Sequence, residues 1–164
     1  MKVKTIVDVC CGSRMFWFDR HNPKAVFIDL RNESITLKDK SSRGGFRKLL
    51  IRPDAVADFT NLPLENNRFN LAVFDPPHFK RNGKTGWVAK KYGILPDNWR
   101  DVIRCGFSEC FRVLKPNGVL VFKWNENEIK TSEVLSLTDE KPVIGHRSGK
   151  HMQTHWLVFM KGDL

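Results

Sequence analysis

Short apolar segments separated by turn residues make up much of the first half of the chain, and four of them carry an aspartate at or near their carboxyl end. Apolar runs of this kind are typical of the buried strands of a parallel sheet. The segments are KTIVDV (4–9), KAVFIDL (24–30), DAVADF (54–59) and FNLAVFDPP (69–77). We expect the acids to meet at the carboxyl edge of one sheet, where open α/β folds bind ligands. These acids are Asp8, Asp29, Asp58 and Asp75.

The second half alternates helical and strand patterns. Apolar residues recur at helical spacing over 97–114, and VLVFKW (119–124) has the pattern of a fifth buried strand. We expect a helix over 126–137 and then a closing antiparallel hairpin. One or two helical turns are expected over 14–21, and a β-hairpin insertion over residues 34–52 around the turn KSSRGG.

These elements predict one α/β domain over residues 1–164, with an open, mostly parallel, seven-stranded sheet, a C-terminal antiparallel hairpin and reduced helices. Hydrophobic residues make up 41% of the chain and charged residues 28%, as in ordinary globular proteins. No apolar run approaches the length of a membrane span, and the four cysteines form no C-x-x-C pair. We therefore expect a cytoplasmic protein without a metal site, and the sequence leaves its oligomeric state open.

The positive charge of the chain indicates which kind of partner it binds. The chain has 28 Lys and Arg against 18 Asp and Glu, a formal charge of +10 that favours nucleic acid, DNA or RNA. Residues 79–91 carry five cations and no acid, and they begin immediately after the Asp-Pro-Pro bend. Residues 38–52 carry six cations against one acid. Clustering of this kind favours binding of an anionic target over a surface kept only for solubility.

Four segments resemble class I S-adenosylmethionine-dependent methyltransferases. They are VDVCCG, FIDLRN, ADFTNLPLENNRFNLAVFDPP and CFRVLKPNGVLVFKW. The resemblance covers nearly the whole chain, and the compact chain is similar to small phage- and prophage-encoded methyltransferases. It implies a Rossmann-like fold and S-adenosyl-L-methionine as the cofactor.

The resemblance also implies which residues face the cofactor. The positions that match the family are Asp8 for the amino group, Cys10 and Gly12 for the methionine part, Asp29 for the ribose, and Asp58 with Phe59 for the adenine. The turn differs from the usual glycine-rich sequence, because it has Cys10 and Cys11 before Gly12 and the cation Arg14 after it.

The Asp-Pro-Pro bend resembles the signature of methyltransferases that act on exocyclic or amide nitrogens. The resemblance implies that the Asp75 carboxylate and the Pro76 carbonyl accept the two N–H bonds of the target nitrogen. The family usually has Tyr or Phe at the fourth position, where it stacks on the base, and this chain has His78. His78 is expected either to stack or to mark a different methyl acceptor.

The basic segment after the bend is the expected contact with the target. Its candidate residues are Phe79, Lys80, Arg81, Lys84 and Trp87. Three functions stay open: methyl transfer to an amino nitrogen of a nucleic-acid base, methyl transfer to a protein amide or a small molecule, and a non-catalytic nucleic-acid-binding module on a methyltransferase fold. The first is the leading prediction.

Overall fold

The computed structural model describes residues 3–38, 42–80 and 87–162. Its strands are β1 (Ile6–Asp8), β2 (Ala25–Asp29), β3 (Glu33–Lys38), β4 (Phe46–Ile51), β5 (Ala55–Val56), β6 (Phe69–Phe74), β7 (Leu114–Asn125), β8 (Ile144–Ser148) and β9 (Thr154–Met160). Its α-helices are α1 (Trp87–Tyr92), α2 (Trp99–Val113) and α3 (Thr131–Leu135).

Seven of the strands form one sheet in the order β5-β2-β1-β6-β7-β9-β8, and β3 and β4 form a separate two-stranded hairpin. Strands β5, β2, β1, β6 and β7 pair in parallel, and β9 is antiparallel to both β7 and β8. The predicted α/β fold is therefore confirmed, including the closing hairpin, the small number of helices and the hairpin insertion. The central strands are buried because their side chains are apolar on both faces.

The main core lies between α2 and the centre of the sheet. The buried face of α2 carries Trp99, Ile103, Phe107 and Cys110, and these pack with apolar residues of β6 and β7 such as Phe74. Helix α2 lies within the predicted segment 97–114, and its apolar stripe is buried against the sheet, as the helical spacing predicts. No helix within the described ranges combines the length and the apolar character needed to cross a membrane.

Two segments that were expected to be helical differ from the prediction. Residues 14–21 form turns rather than helix, and two of their side chains bond to partners outside the segment: Arg14 Nη2 donates to the Arg52 carbonyl and Trp17 Nε1 donates to Asp8. The helix expected over 126–137 is confined to α3. Its first residues are held elsewhere, since the Glu126 N–H donates to the Gln153 carbonyl beside β9.

Candidate active site

A cavity of about 260 Å³ lies at the carboxyl ends of β1 and β6 and is partly covered by α1. Its lining residues are Cys10, Cys11, Gly12, Ser13, Met15, Phe16, Arg31, Asp75, Pro76, Lys91, Tyr92 and Lys123. The structure therefore brings four of the predicted site residues together on one cavity wall: Cys10, Gly12, Asp75 and Pro76. This cavity is called the active-site cavity below.

The loop Cys10–Ser13 forms one wall of the cavity. Gly12 has a φ of +49°, and a Cβ on this residue would have no heavy atom within 4 Å. The loop is fixed from below, because Cys11 N–H donates to the Ile28 carbonyl at 2.8 Å and Gly12 N–H donates to Asp29 Oδ2 at 2.8 Å. The backbone of this turn is thus open to a ligand and held in place by β2.

Asp8 lies beneath this loop and does not line the cavity. Its side chain is fully buried, and Oδ2 accepts a hydrogen bond of 2.7 Å from the indole N–H of Trp17. Burial raises the pKa of the Asp8 carboxyl to about 7, although the bonds from Trp17 and from the Cys10 N–H act in the opposite direction. In this arrangement Asp8 supports the loop, and its contact with a cofactor stays a prediction.

Asp29 is also a buried support for the loop. Besides Gly12, it accepts hydrogen bonds from the N–H and the Nε of Arg31, at 2.9 and 3.2 Å. Arg31 in turn lines the cavity and donates from Nη1 to the Lys90 carbonyl at the end of α1. Asp29 therefore connects the turn after β1 with the helix that covers the cavity.

The predicted adenine-binding pair lies outside the active-site cavity. Asp58 is exposed, and its Oδ1 accepts from the N–H and the hydroxyl of Thr60. Phe59 is half-buried and packs edge-on against Phe74, with ring centroids 5.1 Å apart. Their position after β5 is at the same edge of the sheet as the cavity, two strands away from β1.

Asp75 is the only one of the four strand-end acids that lines the cavity. Its Oδ2 lies 2.7 Å from Nζ of Lys123, and the side chains of the pair are 14% and 20% exposed. Its Oδ1 is buried and accepts no hydrogen bond from any of the described residues. A buried carboxylate oxygen of this kind needs a donor, because its desolvation is otherwise uncompensated.

His78 lies behind the bend rather than in the cavity. It is 6% exposed, and its ring packs against Phe79, Tyr92 and Trp124. Nδ1 lies 3.3 Å from the Pro76 carbonyl oxygen, so this nitrogen must carry the proton, since a carbonyl can only accept. Burial lowers the pKa of His78, which favours the neutral ring.

Helix α1 is joined to the bend on its other side. Gly93, just after the helix, packs against Pro77, and Leu95 N–H donates to the Phe79 carbonyl at 2.9 Å. These contacts carry Tyr92 and Lys91 to the rim of the cavity. Among the residues that the structure describes, the aromatic side chains that line the cavity are Tyr92 and Phe16.

The predicted target contacts are only partly described. Phe79 is half-buried against His78, with ring centroids 4.4 Å apart, and Lys80 is exposed. Arg81 and Lys84 lie outside the described residues, and of Trp87 only its place at the start of α1 is described. The role of this segment stays a prediction.

Thiol and metal chemistry have little support at this site. Burial raises the pKa of Cys10 well above its usual value and that of Cys11 to about 12, so both stay protonated at neutral pH. Within the described ranges, no group of three or more His, Cys, Asp and Glu side chains could hold a metal ion.

Sequence reasoning missed Lys123, Tyr92 and Arg31. Lys123 was the only charged residue in the run VLVFKW, and a cation in an otherwise apolar buried strand is a signal of a specific partner. Tyr92 is the single tyrosine of the chain. Its position over the cavity depends on the packing of Gly93 against Pro77, which no local pattern indicates.

Solved structures of other proteins share this fold. The PH0226 protein from Pyrococcus horikoshii OT3 has a TM-score of 0.61 at 16% identity, over 98% of this chain and 82% of that one. The N-methyltransferase NodS from Bradyrhizobium japonicum WM9 has a TM-score of 0.59 at 13% identity, over 98% and 87%. A SAM-dependent methyltransferase from Methanosarcina mazei has a TM-score of 0.57 at 12% identity, over 99% and 94%.

No protein-family model matches the sequence, and comparison with curated proteins gave no match. At identities this low, the likeness to solved structures concerns the fold alone. The strand order, the single antiparallel strand β9 and the cavity at the carboxyl ends of β1 and β6 agree with that likeness. The chain therefore has the fold of S-adenosylmethionine-dependent methyltransferases.

Proposed function

We propose that the protein transfers a methyl group from S-adenosylmethionine to an exocyclic amino nitrogen of a nucleic-acid base. The observation that carries the proposal is the hydrogen bonding of the two oxygens of the Asp75 carboxylate. One of its oxygens is held by Lys123, and the other is buried in the cavity wall without a donor from the described residues. An incoming N–H group would supply that donor.

The Cys10–Ser13 loop in the cavity wall suits the methionine part of the cofactor. The open position at Gly12 lets a ligand approach the backbone closely, and Asp29 holds the loop in that shape. We assign the methionine part to this loop, and Asp58 with Phe59 to the adenine. Asp8 and Asp29 would act on the cofactor mainly by fixing the loop. When bound, the cofactor supplies a methyl group attached to a positively charged sulfur.

Two acceptors at the bend favour a nitrogen over a hydroxyl as the methyl acceptor. Asp75 and Pro76 both line the cavity, and the carboxylate and the carbonyl group are acceptors without a proton to donate. An amino group has two N–H bonds and can satisfy both acceptors, whereas a hydroxyl has one. Acceptors on both N–H bonds also increase the electron density on the nitrogen as it attacks, and they stabilise the positive charge that develops there.

His78 would orient the Pro76 carbonyl rather than contact the base. Its Nδ1–H occupies one lone pair of that oxygen and leaves the second available. Stacking on the base then falls to Tyr92 and Phe16, the aromatic side chains of the cavity wall. Base stacking on aromatic rings contributes about 1–3 kcal/mol per base.

Charge supports a nucleic acid over a neutral amide. The chain has a formal charge of +10, and the cations Arg31, Lys91 and Lys123 stand at the cavity wall. A phosphate backbone would be attracted to such a surface, and the attraction would weaken as salt is added. Binding of a neutral protein amide or a neutral small molecule would not require this excess of positive charge on the protein.

The test is methyl transfer from cofactor labelled in the methyl group, with mixed DNA, RNA and protein as acceptors and mass analysis of the products. Asp75→Ala should lose about a hundredfold or more in turnover and keep its cofactor affinity, because Asp75 acts on the target nitrogen. Asp139→Ala, which removes an exposed carboxylate elsewhere, is the matched control. Label on base nitrogens would support the proposal, and label only in protein would replace it with amide methylation.

A further inference from the structure

A second cavity, of about 610 Å³, lies between the turns after β1 and the hairpin strand β4. We call it the basic groove. Its cationic lining residues are Arg14, Arg20, Arg47, Lys48, Arg52 and Lys91. Among the described residues Asp54 is the single acid in the lining, and its Oδ2 accepts from Lys4 Nζ at 2.9 Å. Cations therefore outnumber acids among the described residues that line the groove.

Arg14 makes the groove a preformed structure. Its guanidinium donates to the Arg20 carbonyl at 2.6 Å and to the Arg52 carbonyl at 2.7 Å, which ties the loop to the end of β4. It also stacks on Phe27, with 3.7 Å between the guanidinium carbon and the ring centroid. The two walls are thus fixed relative to each other before any ligand binds.

The groove is continuous with the active-site cavity. Ser13, Met15 and Lys91 line both. A chain of phosphates lying in the groove would therefore lead directly to the cavity that contains Asp75. The β3–β4 hairpin forms one wall of the groove. It follows β2 directly in the chain, without a helix between them.

Apolar side chains are mixed with the cations in this groove. Met15 is 47% exposed and Leu50 is 39% exposed, and both are lining residues. A duplex presents mainly phosphates to such a surface, whereas a single strand also presents unstacked bases, which gain from apolar contact. A single-stranded base also reaches a catalytic pocket without the cost of unpairing.

We propose that the basic groove binds a single strand of nucleic acid and delivers one of its bases to the active-site cavity. This inference rests on the proposed function, since it names the docking surface of the same substrate. It assigns to the β3–β4 hairpin a direct role in binding the substrate.

The test is fluorescence anisotropy of a labelled single-stranded oligonucleotide, titrated with the protein at several KCl concentrations. The variant Arg20→Ala/Lys48→Ala removes one exposed cation from each wall. We expect weaker binding and a slope of log affinity against log salt that is shallower by about 1.4, or about 0.7 for each lost phosphate contact with a single strand. The control Lys115→Ala/Lys141→Ala removes the same charge from exposed positions outside the groove.

Equal slopes for the groove variant and the control would overturn the proposal. Tighter binding of a duplex of the same sequence would overturn it as well, and so would displacement of the oligonucleotide by polyglutamate at the same charge concentration. Because these side chains are exposed, the melting temperatures of all variants should match that of the wild type.

Two further measurements separate this proposal from the proposed function. Calorimetric titration with S-adenosylmethionine should give the same affinity for the groove variant and the wild type, and methyl transfer to the oligonucleotide is measured with both proteins. Salt-dependent strand binding at the groove without methyl transfer would contradict the proposed function alone. Methyl transfer to nucleic acid with an unaffected groove variant would contradict the groove alone.

Discussion

Nζ of Lys123 lies 2.7 Å from Oδ2 of Asp75, and this ion pair joins the residue after β6 to the neighbouring parallel strand β7. The register explains it: Phe74 of β6 pairs with Phe122 of β7, so the next residue on each strand meets at the carboxyl edge of the sheet. The rings of Phe16 and Trp156 flank the ammonium group, with centroids 5.7 and 5.6 Å from Nζ. Lys123 therefore fixes the direction of Asp75 and holds Oδ2, while Oδ1 has no donor among the described residues.

Replacing Lys123 with Met should lower turnover more than it lowers cofactor affinity. The Met side chain keeps the packing between Phe16 and Trp156 and removes the charge that orients Asp75. Loss of a hydrogen bond between charged groups costs about 1.5–3 kcal/mol, so we expect a decrease of roughly tenfold to a hundredfold in kcat. Single-turnover kinetics with saturating cofactor measure it. Turnover equal to wild type would show that Asp75 is oriented without Lys123.

Replacing His78 with Phe should keep the fold and reduce turnover moderately. Phe fits among the surrounding rings, but it cannot donate to the Pro76 carbonyl. We expect a melting temperature close to that of the wild type and a loss of about fivefold in kcat, which corresponds to about 1 kcal/mol for one neutral hydrogen bond. Improved activity in this variant would instead support a purely stacking role for the residue.

Asp8 should make the protein less stable as the pH rises. Because the pKa of the folded carboxyl is about 7 and its ordinary value is 3.8, the folded protein keeps a proton that the unfolded chain has released between these values. The free energy of unfolding should therefore fall between about pH 4 and pH 7, and then stay level with respect to this group. Urea unfolding at about pH 5 and about pH 8 measures the fall.

The variant Asp8→Asn isolates this contribution. An amide oxygen can still accept from Trp17, and it does not titrate. His78 acts in the opposite direction, since its lowered pKa makes stability rise with pH below 6.5. This effect is common to both proteins, so it cancels in the difference between them. A difference that does not change with pH would contradict a raised pKa for Asp8.

Replacing Gly93 with Ala should destabilise the packing of helix α1, which partly covers the cavity, against the Asp-Pro-Pro bend. Gly93 has a φ of +78°, and a Cβ there would lie 2.9 Å from Cγ of Pro77. The left-handed conformation alone costs a non-glycine residue about 1–2 kcal/mol. We expect a lower melting temperature together with lower turnover, because Tyr92 and the bend shift together. Gly162→Ala, where a Cβ meets no heavy atom within 4 Å, should change neither quantity.

Local patterns in the sequence determined most of the sheet. The apolar segments ending in Asp8, Asp29 and Asp75 became neighbouring parallel strands, because continuous apolar runs are stable only with both faces covered. The apolar stripe of α2 and the hairpin turns were likewise visible in short windows. The expected helical turns over 14–21 were wrong, and Arg14 and Trp17 bond there to partners outside the segment.

Only the tertiary structure decided which of the strand-end acids faces the cavity. Asp8 bonds to Trp17 and Asp29 bonds to Gly12 and Arg31, whereas Asp75 alone of these acids lines the cavity. Lys123 is 48 positions from Asp75, and the packing of Gly93 on Pro77 places Tyr92. A sequence pattern indicates which residues lie at the end of a strand. The direction of a carboxylate depends on donors brought to it by other strands, and those donors are known only when the chain is folded.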